Sequence, residues 1–235
     1  MSGTLYLIPV PLGPGAPQAV LPPHTLAAVQ PLRHFVVENA KSARAFLKAA
    51  GTALPLQELQ LSELNEHSRP ADVAPLLTPL LAGHDVGLLS EAGCPAVADP
   101  GAALVALAQR ENIRVVPLIG PSSLLLALMG SGLDGQRFAF HGYLPAKEAE
   151  RAKAVRELEK ESRQKRQTQL CIETPYRNPA LFDALLRHCQ PATRLCVATD
   201  LSLLGESIRT QTIAAWKKQT PPDIERRPTV FLFLA

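Results

Sequence analysis

The sequence predicts two α/β domains, the first on a mostly parallel sheet and the second on a mixed sheet. Three observations carry that expectation. In the first half, short apolar runs alternate with helix-compatible stretches of about ten residues, the spacing of crossover connections between parallel strands. In the second half the last strand-like runs follow one another with fewer helices between them, which predicts antiparallel pairs. The chain of 235 residues is 46% apolar and only 19% charged, enough to fill sizeable cores and too apolar for disorder, yet without apolar runs long enough for a bilayer.

Residues 4–10 (TLYLIPV) read as a buried first strand running into a Pro-Leu-Gly-Pro-Gly turn. Residues 35–38 form a second short strand, and Ser42 is the expected N-cap of a helix ending at Ala50. A third strand covers 85–90 (DVGLLS), a loop 91–101, a helix 102–110 and a fourth strand 114–118. At Gly120-Pro121-Ser122-Ser123 the chain turns, with a serine hydroxyl capping the helix SLLLALM. The junction belongs there, giving an N-terminal domain over 1–119 and a C-terminal one over 120–235. The second domain reads as a strand at 138–142, a charged helix over 147–161, and strands at 169–172, 195–199, 207–212 and 229–234.

Composition excludes more than it selects. A net charge of +3 shows no concentrated basic face of the kind that grips polyphosphates. Cys94, Cys171, Cys189 and Cys196 lie scattered with no C-x-x-C pair, so buried free thiols are expected rather than a zinc site or disulfides, and no metal is expected. Met1-Ser2-Gly3-Thr4 enters a strand with no basic leader segment, which predicts a cytoplasmic protein. Proline is over-used, 22 residues against a usual ~5%. Pro9, Pro11, Pro14, Pro17, Pro22, Pro23 and Pro31 rule out one long N-terminal helix.

Three loops draw attention. Pro9-Val10-Pro11-Leu12-Gly13-Pro14-Gly15 lets backbone approach a ligand, although it is not G-x-G-x-x-G, which disfavours a dinucleotide enzyme. Ser90-Glu91-Ala92-Gly93-Cys94-Pro95-Ala96-Val97-Ala98-Asp99-Pro100-Gly101 mixes small residues with two acids; Asp99 either serves the site or caps the next helix. Ile119-Gly120-Pro121-Ser122-Ser123 is again strand, turn, hydroxyl, helix. Each follows a predicted strand of one parallel sheet, so the three converge on one crevice. Backbone amides, hydroxyls and one or two acids suit a neutral or cationic small ligand.

The succession LYLIPVPLG, LLSEAGCPAVADPG, VVPLIGPSS, FAFHGYLP and IETPYRN resembles the tetrapyrrole methylase superfamily of S-adenosylmethionine-dependent methyltransferases. The likeness is greatest to the bacterial enzymes that methylate a ribose 2′-hydroxyl of small-subunit ribosomal RNA. It implies a methyl donor, S-adenosyl-L-methionine, in a cleft between two α/β domains, a homodimer, and a partner in ribosomal RNA or the small subunit, with no membrane association. It also implies donor-binding roles for Pro11, Leu12 and Gly13, for Ser90, Ala92, Gly93, Asp99 and Pro100, and for Pro121, Ser122 and Ser123. Where those enzymes carry Ala-Glu-Asp-Thr-Arg, this chain has Val37-Glu38-Asn39-Ala40-Lys41, keeping the acid. Ending at Ala235, it resembles a short form without their small extra C-terminal domain. Methylation of a tetrapyrrole or other small molecule, and donor binding without catalysis, are the alternatives.

Methyl transfer needs no covalent nucleophile, only proximity, orientation and a base for the acceptor hydroxyl. Glu38, Glu66, His67 and Glu173 are the candidate bases, with Glu38, His67 and Glu173 foremost. Glu173, Tyr176 and Arg177 follow a strand of the second domain; alternatively that segment only starts a helix, with Asn178 as cap and Pro179 first. The helix from Lys147 onward carries opposite charges at helical spacing, a solvated face. Arg163, Lys165 and Arg166 with Lys217, Lys218, Arg226 and Arg227 form an RNA-facing rim only if the fold gathers them. No aromatic interleaves them, so no stacking platform is visible.

Overall fold

The computed structural model describes residues 2–235; Met1, where the expected leader-free start begins, lies outside the described residues. By its internal contacts the chain divides into two compact units, Met1–Ser122 and Ser123–Ala235.

The first unit is built on five parallel strands, β1 (Thr4–Ile8), β2 (His34–Val37), β3 (Gln60–Glu63), β4 (Val86–Leu89) and β5 (Arg114–Pro117), in the order β3-β2-β4-β1-β5. Its helices are α1 (Pro23–Val29), α2 (Ala40–Ala50), the short α3 (Pro70–Val73) and α4 (Thr78–Leu81), and α5 (Ala102–Arg110). Every residue of β4 is buried, as a strand covered on both faces requires, and so it reads as an unbroken apolar run. Leu5, Val36, Leu88 and Leu104 pack on one side of the sheet, and Ile8, Phe35, Val37 and Leu47 on the other.

The second unit begins with α6 (Ser123–Ser131) and β6 (Phe138–Tyr143), then α7 (Glu148–Lys165), β7 (Thr168–Ile172), α8 (Asn178–His188), β8 (Arg194–Thr199), β9 (Ser207–Thr212), α9 (Ile213–Trp216) and β10 (Thr229–Leu234). The order is β6-β7-β10-β8-β9. β6 and β7 are parallel and the other pairs antiparallel. Central β10 places Phe231 and Phe233 in a core with Leu181, Phe182, Leu195 and Trp216. The Trp216 indole meets Phe182 edge-on at 5.4 Å and donates to the Leu195 carbonyl at 2.9 Å, so its polar atom is satisfied inside.

Several expectations are corrected. Ser42 does not cap α2. Asn39 does, its Oδ1 accepting from the Lys41 and Ser42 amides at 2.8 and 3.4 Å. Asn178 caps nothing: a short 3-10 turn, Pro175–Arg177, precedes α8, and the buried Asn178 amide donates to the Ile224 and Arg227 carbonyls. The charged helix continues to Lys165. It carries the surface pairs Lys153–Glu157 and Glu161–Lys165, but Arg151 and Glu159 turn inward. There Glu159 accepts from the Gln190 amide and the Thr193 hydroxyl. The short α3, α4 and α9 were not anticipated, nor were β3, an edge strand of mostly exposed residues, and α1, with Pro22 at its N-cap and Pro23 at its first position. Proline stops a helix interior but suits this start, where no N–H partner is needed. Pro17 opens a 3-10 turn in the same way. Three cysteines are buried free thiols, with Cys171 pushed up to about 12 by burial, but Cys94 is only half-buried.

Candidate functional site

The three small-residue loops leave the C-terminal ends of the adjacent strands β4, β1 and β5, and they are hydrogen-bonded to one another. Val10 and Gly93 exchange both backbone bonds, at 2.9 and 3.1 Å, and the Cys94 thiol donates to the Pro121 carbonyl at 3.4 Å. Gly93 has φ +73 and Leu12 beside it, so a side chain there would be both strained and crowded. Gly120 packs so tightly on Pro9 that a Cβ would come within 2.3 Å of that ring. Pro11, Leu12, Gly13, Pro100, Pro121, Ser122 and Ser123 are half-buried, Ala92 is exposed, and Ser90 and Gly93 are buried.

Asp99 shapes the middle loop. Its Oδ1 accepts from the Ala96 amide at 3.2 Å and the Gly101 amide at 2.8 Å, closing a turn in which Ala96 and Ala98 take left-handed φ values of 65 and 57. Such angles disfavour any side chain and least a small one. Gly101 itself stands at the N-cap of α5. Burial raises the Asp99 pKa, against the lowering by its two amide partners.

Glu38 stands one residue beyond β2, next to β4 in the sheet. Burial raises its pKa first, and Asp99, Glu91 and Glu66 raise it further, while the Glu91 backbone amide opposes them. Beside it, Glu91 accepts from the Ser42 hydroxyl at 2.5 Å. Ser42, Phe46, Pro11, Gly13, Ser90 and Glu91 line a cleft of about 230 Å³. Sequence reasoning missed the wall supplied by α2. Its signal was the helical spacing of Ser42, Phe46 and Ala49 on the face toward the first loop.

The other candidate bases sit differently. The side chain of His67 is 85% exposed and lies 3.7 Å from Glu66. The side chain of Glu173 is 1% exposed. Its Oε1 accepts from the Thr174 amide at 2.7 Å and from Arg177 Nη2 and Nε at 2.7 and 3.0 Å, while Oε2 has no partner. That arrangement fixes a guanidinium. Arg177 lies 5.5 Å from the centre of the exposed Tyr176 ring. A tyrosine ring and an arginine thus meet just beyond β7, a ring-and-cation surface.

The three small-residue loops carry hydroxyls, carboxylates and backbone groups and no Lys or Arg, a donor set that fits a cationic ligand with amine and hydroxyl groups. Among the described residues no group of three or more His, Cys, Asp or Glu is arranged to hold a metal ion, and no helix is long and apolar enough to cross a membrane.

The profile of the Tetrapyrrole (Corrin/Porphyrin) Methylases matches residues 5–216. The ribosomal RNA small subunit methyltransferase I of Xylella fastidiosa is 30% identical over 99% of this chain and 81% of its own length. The protein of that name from Pseudomonas aeruginosa is 32% identical over 91% of this chain and 71% of its own. Among solved structures, the methyltransferase CobJ superposes with a TM-score of 0.65 over 100% of this chain and 94% of its own, at 17% identity, and shares the fold.

Proposed function

Since this chain is a methyltransferase belonging to the tetrapyrrole (corrin/porphyrin) methylase family, we propose that its donor is S-adenosylmethionine and its acceptor a ribose 2′-hydroxyl of small-subunit ribosomal RNA. One observation carries the reading: three loops without a basic side chain are hydrogen-bonded together at the ends of β4, β1 and β5, with a half-buried carboxylate beside them. The donor supplies a methyl carbon already made electrophilic by a sulfonium.

The chain's part is to hold and to take a proton. Backbone groups of the loops at 11–13, 90–100 and 121–123 bind and orient, and the rigidity lent by proline and by the Asp99 turn lowers the ordering cost of the pocket. Glu38 is the base of this reading. It would take the proton from the acceptor hydroxyl as the methyl carbon exchanges its bond to sulfur for one to that oxygen, the donor leaving as the neutral thioether. Its raised pKa brings a carboxylate nearer the working pH of a general base. The exposed His67 is poorly held for that task, and Glu173, sealed and paired, is suited to positioning Arg177. Arg177 and Tyr176 offer a nucleotide a phosphate-pairing cation and a stacking ring. This favours RNA over a tetrapyrrole. The reading includes a cytoplasmic homodimer, supported by Leu125 and Met129, exposed one turn apart on α6.

Calorimetry tests the donor: S-adenosylmethionine or its demethylated product binds with a Kd in the micromolar range or below, and failure of both to bind removes the reading. Labelled methyl transfer to small subunits from a strain lacking the gene tests the acceptor. Label is expected in RNA, and a preparation active only on a tetrapyrrole excludes the ribose hydroxyl.

A further inference from the structure

The strands of the first sheet run in one direction, so their N-terminal ends form an edge remote from the loops described above. There a second hollow of about 480 Å³ opens. Arg33 and His34 reach it from the start of β2, Gln60 from the start of β3, and His84 and Asp85 from the turn into β4. The register brings His34 level with Gln60 and Val86, which puts these side chains in one row across the edge. The imidazoles of His34 and His84 stack with centroids 5.1 Å apart and planes at 30°.

The turn that presents His84 is firmly held. Its amide donates to the Pro79 carbonyl at 2.9 Å, the Gly3 amide donates to Leu80 at 2.8 Å, and Gly3 passes so close that a Cβ would lie 1.9 Å from the His84 oxygen. The charged groups facing the histidine pair are Arg33, Asp85 and, through Arg33, Glu58. Asp85 Oδ1 is engaged by the Thr4 amide at 2.7 Å, and Glu58 meets Arg33 at 2.8 Å. Around the hollow this leaves the two imidazoles, the remaining N–H groups of Arg33 and the Gln60 amide as donors, with Asp85 Oδ2 as the acceptor an anion must avoid. Among the described residues no group of three or more His, Cys, Asp or Glu is arranged here to hold a metal ion.

We propose that this hollow binds a phosphate-class anion through His34, His84 and Arg33, independently of the methyl-transfer site. In the ligand-free state burial, then the His84 imidazole, then Arg33 hold the His34 pKa below its ordinary value. An anion between them reverses the balance, so binding takes up protons and strengthens as pH falls toward about 6. A free phosphate and an RNA backbone phosphodiester share this chemistry.

Histidine ring proton resonances of the whole protein, assigned with His34→Gln and His84→Gln, are followed during titration with inorganic phosphate at about pH 6 and 7.5. The expected result is movement of the His34 and His84 signals, a rise in the His34 pKa, and tighter binding at the lower pH. Arg33→Gln weakens binding about tenfold, whereas Glu58→Gln, which frees the guanidinium, strengthens it. Loss of binding in both variants would mean that the Arg33–Glu58 pair is only structural and overturns the role of Arg33. A short oligouridylate added next identifies the source: competition with phosphate marks the RNA backbone, and unchanged phosphate binding marks a free phosphate. If neither millimolar phosphate nor the oligonucleotide moves the two signals, the site does not exist.

Discussion

At the scale of single residues, the informative group is Glu38. Its ordinary pKa of 4.5 is raised in the folded chain, by burial before any neighbour. Folding therefore favours the protonated form. Above the folded-state pKa the native protein holds a partly desolvated charge near other carboxylates, a burden the unfolded chain does not carry. Glu38→Gln removes it. The variant is expected to resist urea better than the parent at pH 7, and the difference should vanish below about pH 4, where the carboxyl is protonated in both states. Methyl transfer should fall at least about 10²-fold at the same time, the usual value of a general base. Greater stability with full activity would place the base elsewhere. The place of Glu38 just beyond β2 was legible, because a short apolar run ending in a carboxylate reads as the C-terminal end of a strand in a parallel sheet. The pairing of Glu173 with Arg177 was not, since a motif gives the order of residues but not which side chain the core seals.

At the scale of elements, most of the longer strands and helices were readable from period and composition, and the misses at β3 and α1 have separate causes. β3 is an edge strand with its side chains mostly in solvent, so it has no apolar alternation to reveal it. α1 hides behind two prolines that read as breakers, although at the N-cap and first position they are starters. At α2 the sequence offers Asn39 and Ser42 as competing caps, and the choice depends on backbone angles. Asn39 lies in the extended region (φ −142, ψ 124) with its carbonyl already accepting from Ala43, whereas Ser42 is inside the helix and bonds to Glu91. Asn39→Ala should cost about 1 kcal/mol in urea unfolding. Ser42→Ala should leave the cap intact and cost less. Equal losses would mean that Asn39 does not dominate the helix start.

At the scale of the whole molecule, stability rests on apolar strands covered on both faces. Phe231 is fully buried in the middle strand of the second sheet, and Phe231→Ala should cost about 3–5 kcal/mol by lost transfer energy and the cavity left behind. A calorimetric melt showing less than about 1 kcal/mol would mean that the site collapses around the change. The sequence by itself determined the α/β class, the parallel and mixed sheets and the three small-residue loops, because burial period and turn chemistry act locally along the chain. Only the tertiary structure decided which side chains meet: Ser42 with Glu91, Glu173 with Arg177 and Tyr176, and His34 with His84. These partners are separated by turns or whole crossovers. Strand order and register set their distances, and no local signal in the sequence encodes either.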